Sequence, residues 1–319
     1  MDNNYNTPND ILQDRINGKV VPWRPKKKQA LVLARSFHRL GKHKKANRVW
    51  WCSYELEFRV EPETGRKRLE KAGFCRERLC SMCAWRRSLK TFHQVSKVMD
   101  EVERRHKNLQ PIFLTLTVKN CEGSGLADTL DMMFNGWGLL RKHRKIKRVV
   151  HGWFRALEVT YNRKDDTYHP HFHAILLVDK SYFKGKDYMQ TTDWVQMWRT
   201  ACALDYDPIC DIRKVRVSKG KYKAVAEIAK YTVKDSDYLH KDNNKLTDEL
   251  VSILSSALSG RQLHGFGGVM RVIAKELGMK KLGGGDLVHI DGDAIRDDVA
   301  KLIEVYKWSF GVANYIRRR

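Results

Sequence analysis

The chain has no apolar run approaching the length that a membrane-spanning helix requires. Nor does a positively charged start lead into an apolar stretch, so no secretory leader is expected and the expected location is the cytoplasm. No Gly-rich loop carries the Lys-Ser/Thr pair of a triphosphate site. The one Gly-rich stretch, HGFGG at 264–268, reads as a turn. No internal repeat is present. Acid is scarce relative to base, with 37 Asp and Glu against 61 Lys and Arg and a formal charge of +24. That excess, clustered in RPKKK at 24–28, RLGKHKK at 39–45 and RKHRKIKR at 141–148, suits a polyanion, nucleic acid first. Seven cysteines, unevenly spread, argue against a disulfide framework.

What is present reads as α+β. Residues 1–46 read as a flexible basic segment, 47–108 as a cysteine-bearing segment and helix, 109–240 as the core, and 241–319 as a C-terminal region. Trp85, Leu89, Phe92, Val95, Met99 and Val102 recur at helical spacing. PIFLTLTVKN alternates as a half-buried strand, and Leu130 to Leu140 suggest a second helix. FRALEVTYN and HPHFHAILLV read as a hairpin joined by the polar turn RKDDTY, which implies antiparallel pairing. TTDWVQMWRTACAL begins with a Thr cap and reads as a helix, DIRKVRVSKG as a strand and KYKAVAEIAKYTVKD as a helix. A helix is expected around 247–258, and the tail KLIEVYKWSFGVANYIRRR fits either a strand or a helix.

Two constellations carry chemistry. On a strand, His171 and His173 project from one face. Glu158, out of place in the apolar RALEVTY of the partner strand, could complete a divalent-cation site if the hairpin register brings it across. His169 shares their parity and is expected to act behind them rather than as a ligand. In FCRERLCSMC, Cys75, Cys80 and Cys83 join Cys52 as candidate thiolates for a structural Zn²⁺, with His43 a substitute for Cys52. Cys121, Cys202 and Cys210 lack such spacing. Arg78, Arg86 and Arg87 flank the knot and could contact DNA, as could Arg141, Lys142 and Arg144 of the basic block.

Glu227, Lys230, Tyr231 and Lys234 form one helical stripe. Tyr222 and Tyr238 are rivals, but beside a metal-bearing strand pair Tyr231 becomes the expected nucleophile. Lys234, and Lys230 with it, would stabilise charge on a phosphate or phenolate.

His171-Phe172-His173 resembles the His-hydrophobic-His motif of the HUH endonuclease superfamily. FLTLTVKN at 113–120 and HPHFHAILLV resemble the first two motifs of rolling-circle plasmid replication initiators of small Gram-positive plasmids. AEIAKYTVKD at 226–235 is similar to their tyrosine motif, and ALSGRQLHGFGGVMR at 257–271 looks like their C-terminal block. The resemblance implies an HUH-like central antiparallel sheet flanked by helices. It also implies a Mn²⁺- or Mg²⁺-dependent nickase that binds the origin as duplex and single strand and forms a 5′-phosphotyrosyl link. In that family the residue matching Glu227 activates water for termination. A helicase and a polymerase are the implied host partners, with homodimerisation compatible. The competing readings are a zinc-bearing DNA-binding regulator without catalysis, and a transposase or relaxase of the same superfamily.

Overall fold

Alternating burial along 109–117 and 152–179 builds the sheet that carries the histidines. The computed structural model describes residues 10–16, 18–215, 224–226, 228–229, 232–279, 285–290 and 302–318. In chain order the elements are β1 (Arg15–Ile16), β2 (Lys19–Val20), α1 (Trp23–Arg39), α2 (His43–Trp50), β3 (Glu55–Val60) and β4 (Lys67–Ala72). α3 (Ser81–Arg105), β5 (Leu109–Thr117), α4 (Leu126–Leu140), α5 (Arg144–Val149), β6 (Gly152–Asn162) and β7 (Thr167–Asp179) follow. The last are α6 (Thr191–Ala201), β8 (Cys210–Lys214), α7 (Asn244–Ala257), β9 (His264–Gly268), α8 (Val269–Glu276), β10 (Leu302–Ser309) and β11 (Asn314–Arg317).

These divide into two compact units that interleave in sequence. One comprises Met1–Lys90, Leu239–Val251 and Asp286–Arg319; the other Thr91–Tyr238 and Ser252–Gly285. The expected cuts after 46 and 108 do not separate them. β10 pairs antiparallel with β3 far back in the chain, so the tail belongs with the cysteine segment. The first unit holds a four-stranded sheet, β11-β10-β3-β4. The tail, open between two readings, is therefore a β-hairpin.

The expectation that residues 1–46 are flexible is corrected over 23–39, which form α1. Ala30, Leu31, Leu33, Ala34 and Phe37 give it a buried stripe among its basic residues. Trp23 anchors its start, edge-on to Trp85 and Phe58.

The second unit holds a five-stranded antiparallel sheet, order β8-β5-β7-β6-β9, with the histidine strand at its centre. One face packs a core that includes Val95, Val98 and Met99 of α3, Met270 and Ile273 of α8, and Val225 and Ile228. HGFGG is a strand, not a turn. β9 pairs along the edge of β6, and a Cβ at Gly267 would stand 2.1 Å from the Trp153 indole. Those glycines let the edge strand slide under that ring. α6 starts from Gln190 rather than a Thr cap: the Asp193 carboxylate accepts from the Gln190 N–H at 2.8 Å.

Candidate metal centres

Hairpin register decides whether Glu158 meets the histidines. β6 and β7 turn through residues 163–166, where Asn162 donates to the Asp165 carboxylate at 2.7 Å and accepts from the Lys164 N–H at 3.0 Å. That loop pairs Asn162 with Thr167, and the ladder then places Glu158 directly opposite His171 and Ala156 opposite His173. Because side chains alternate, Glu158, His171 and His173 all stand on the face that packs Phe154 and Ala156.

The donor atoms converge. His171 Nε2 and His173 Nε2 are 3.1 Å apart, and Glu158 Oε2 lies 3.2 Å from His173 Nε2 and 3.5 Å from His171 Nε2. Three ligands on one ion with bonds of about 2.1 Å stand about 3.0–3.4 Å from one another. The residues therefore fit a single divalent cation. The rings are held by their other nitrogens. His171 Nδ1 faces the His169 carbonyl at 3.3 Å, which can only accept, so Nδ1 carries a proton and Nε2 is turned toward Glu158, where a cation would take the place of a proton. His173 Nδ1 lies 3.2 Å from Thr115 Oγ1, on the strand paired to the other side of β7. His169 thus serves through its backbone, and burial, followed by the charge of His171, pushes its imidazole down. Burial resists ionisation of Glu158, but its bonds to His171 and His173 outweigh this and hold the carboxyl below the usual range.

Glu227, Lys230 and Tyr231 lie outside the described residues. Their sequence neighbours are placed. Val225 and Ile228 are buried in the core on the face of the sheet that carries the triad. Beyond β9, the edge of β6 is capped by two carbonyls: Leu157 N–H donates to Leu263 O at 2.9 Å and Val159 N–H to Thr232 O at 2.7 Å. Thr232, next in sequence to Tyr231, is therefore bonded one residue from Glu158. Lys234 is exposed. Asp237, which no spacing or motif in the sequence singled out, stands where the charge of Glu158 bears on it. Burial pushes its carboxyl up, with Glu158 and Asp235 adding to the shift and Ser236 and Lys234 opposing it.

In the first unit, Cys52, Cys75, Cys80 and Cys83 form one group. Sγ separations are 3.6 Å for Cys52–Cys83, 3.6 Å for Cys75–Cys83 and 3.7 Å for Cys80–Cys52. A tetrahedral ion with bonds of about 2.3 Å sets sulfurs about 3.8 Å apart. Hydrogen bonds from the other three cysteines, then burial, hold the Cys83 thiol well above its usual range, so ionising this group calls for a cation. Backbone N–H groups of Cys75 and Arg76 point at Cys52 Sγ (3.4 Å) and Cys83 Sγ (3.3 Å). Lys27, fully buried, donates to the Trp50 and Cys52 carbonyls at 2.7 Å each. Burial pushes its ammonium down to about 8, against the pull of Cys52, Cys80 and Cys75. His43 is outside the group and meets His38 edge-on.

Among the candidate DNA contacts, Arg86 is corrected. It is 4% exposed, donates to the Leu287 and Val288 carbonyls at 2.9 and 2.7 Å, and lies over Trp23 and Trp85. It is a structural clamp with no face for DNA. Arg87 likewise donates to the Glu77 and Arg76 carbonyls. Arg78 is half-buried, whereas Arg141, Lys142 and Arg144 are exposed at the end of α4 and the start of α5. Cys202 and Cys210 are buried, which pushes both thiols up to about 12.

The family model described as replication protein, Rep_1, matches residues 66–316. A "Protein rep" from Bacillus amyloliquefaciens is 42% identical, the match covering 98% of this chain and 99% of the relative. A "Protein rep" from Streptococcus pneumoniae serotype 2 is 36% identical over 96% of this chain and 94% of its own. One from Lentilactobacillus hilgardii is 35% identical over 96% and 98%. No solved structure matches the chain.

Proposed function

The chain belongs to the Rep_1 family of replication proteins, and from that premise we propose that it initiates rolling-circle replication of a plasmid in the cytoplasm by nicking one strand of the origin. The observation that carries the proposal is the convergence of Glu158, His171 and His173 on the central strand pair, with Thr232 bonded beside them. A five-stranded antiparallel sheet with His-x-His at its centre supports the HUH-like assignment. A divalent cation held by these three residues would polarise the scissile phosphodiester.

Tyr231 is the nucleophile in this reading. Its phenol oxygen loses a proton and forms the P–O bond. The P–O3′ bond breaks, and the departing oxygen takes up a proton to become the 3′-OH primer, leaving a 5′-phosphotyrosyl link. The ester keeps the bond energy, so strand transfer can reverse the step. Lys234, with Lys230, offsets charge on the phosphate, and Glu227 is the base that activates water for terminal hydrolysis. The Cys52, Cys75, Cys80 and Cys83 group is read as structural Zn²⁺, and Arg141, Lys142, Arg144 and Arg78 as phosphate contacts. Strand separation and synthesis fall to a host helicase and polymerase.

The test is supercoiled origin DNA with Mn²⁺ or Mg²⁺. Open circles carrying covalent protein, and a tryptic peptide spanning Tyr231 heavier by a nucleotide, are expected. Tyr231→Phe abolishes the adduct and retains binding. Retarded but intact circles with the wild type would instead identify a DNA-binding regulator.

A further inference from the structure

The first unit carries a surface that the nicking chemistry does not use. Trp50 and Trp51 close α2, Tyr54 follows, and Phe310 occupies the turn between β10 and β11. Trp50 and Phe310 stack with centroids 5.2 Å apart and planes 14° apart. Tyr54 and Phe310 lie 6.3 Å apart at 22°. Trp51 meets Tyr54 edge-on at 4.9 Å, and its indole N–H donates to Asn47 Oδ1 at 3.1 Å. These rings are not core: Trp51 is 49% exposed and Phe310 44%. The turn is held in place from α1, where Arg24 Nε donates to the Ala313 carbonyl at 3.1 Å.

The segment that leads into the rings carries charge of one sign, with Glu77 pairing Lys45 and Arg48 of α2 and Glu55, beside Tyr54, pairing Lys307. From Trp23 to Trp50 the chain has ten Lys and Arg and no Asp or Glu. Trp50 also lines a cleft of about 520 Å³ with Arg35, His38, Arg39 and His43. Arg39 is committed to Asp248 through two bonds of 2.7 Å, while Arg35 and Lys44 are exposed with no partner among the described residues. Exposed aromatic faces at Trp51 and Phe310, with the unpartnered Arg35 in the cleft that Trp50 lines, are what unpaired bases and their phosphates require. A duplex hides its base faces, and a protein partner would have to be acidic to sit here.

We propose that Trp50, Trp51, Tyr54 and Phe310 form a stacking platform for single-stranded DNA, its phosphates taken up by Arg35 and the basic residues around the cleft that Trp50 lines. The proposal rests on the replication reading for its biological sense, since nicking and displacement generate that strand. It does not rest on it for its test. The platform grips bases without reading sequence, because every base offers a π-face.

The experiment is fluorescence anisotropy of a labelled oligothymidylate without origin sequence, in buffer free of Mg²⁺ and Mn²⁺, on the full chain. Trp51→Ala and Phe310→Ala each weaken binding by roughly 5- to 100-fold while leaving the slope against salt unchanged, because stacking releases no counterions. Trp51→Phe retains most of the affinity. An abasic strand of equal length binds weakly, and equally to wild type and variants. The metal-free buffer takes the nicking chemistry out of the readout, so failure of the nicking reading leaves this binding in place. The proposal is overturned if both alanine variants, folded by circular dichroism, bind like the wild type. It is also overturned if duplex or abasic competitor displaces the oligonucleotide as well as single strand does, or if Trp51→Ala alters only self-association in sedimentation. Should Phe310→Ala fail to fold, Trp51→Ala alone decides.

Discussion

The two candidate metal-ligand clusters differ in how completely the protein surrounds them. Cys52, Cys80 and Cys83 are at most 1% exposed, four sulfurs span one tetrahedron, and backbone N–H groups and Lys27 fill the space behind. The Glu158, His171 and His173 side chains are 12–13% exposed, and they supply three donors only. A closed four-donor set leaves no position for substrate, whereas three donors on a half-buried strand pair leave positions for a phosphate oxygen or water. One cluster is enclosed by the protein and the other opens toward solvent. That contrast can be broken by experiments in which stability and activity respond in opposite proportion.

The largest effect is expected at the open site. His171→Ala or His173→Ala should reduce nicking of origin DNA by about a thousandfold or more, because loss of one of three ligands removes the cation. The melting temperature should change by only a few degrees, since neither ring is part of the apolar core. A variant that nicks normally, or that unfolds, would erase the distinction between the two clusters.

At the closed site the proportions reverse. Cys80→Ser, or prolonged chelation, should lower stability by about 3 kcal/mol or more, since structural metal binding is folding free energy. The measurement is thermal unfolding beside metal content. At a temperature where the protein remains folded, any residual nicking should show an unchanged dependence on Mn²⁺. Full stability with no bound metal would mean that the four thiols are merely packed.

How much of this was legible in the sequence depends on how local the cause is. His171 and His173 share a face by strand periodicity alone, and C-x2-C at 80–83 marks the knot by spacing. The pairing of Glu158 with His171 was not readable, because it follows from the Asn162–Asp165 loop geometry. α1 was missed because its basic residues masked a narrow apolar stripe, and because Lys27 reads as solvent-facing yet is buried against the knot. Arg86 looked like a DNA contact for the same reason. Its partners, Leu287 and Val288, lie some two hundred residues away, and no local pattern reveals them. The strand character of HGFGG depends on Trp153 lying across it, a tertiary fact that glycine content alone reads as a turn.

The smallest expected effect tests how the open site is held rather than whether it exists. Thr115 comes from β5 and lies 3.2 Å from His173 Nδ1, so its hydroxyl sets the ring's tilt and turns Nε2 toward Glu158. Thr115→Val keeps the branched shape that suits the strand and removes only the oxygen. Metal affinity, read as the Mn²⁺ concentration for half-maximal nicking, should weaken by about 10- to 100-fold, with the rate at saturating metal much less affected. Thr115→Ser should restore it. If valine left the metal requirement unchanged, the imidazole would be positioned by packing against Phe113, whose ring lies 5.4 Å away, and the open site would owe its geometry to the core just as the closed one does.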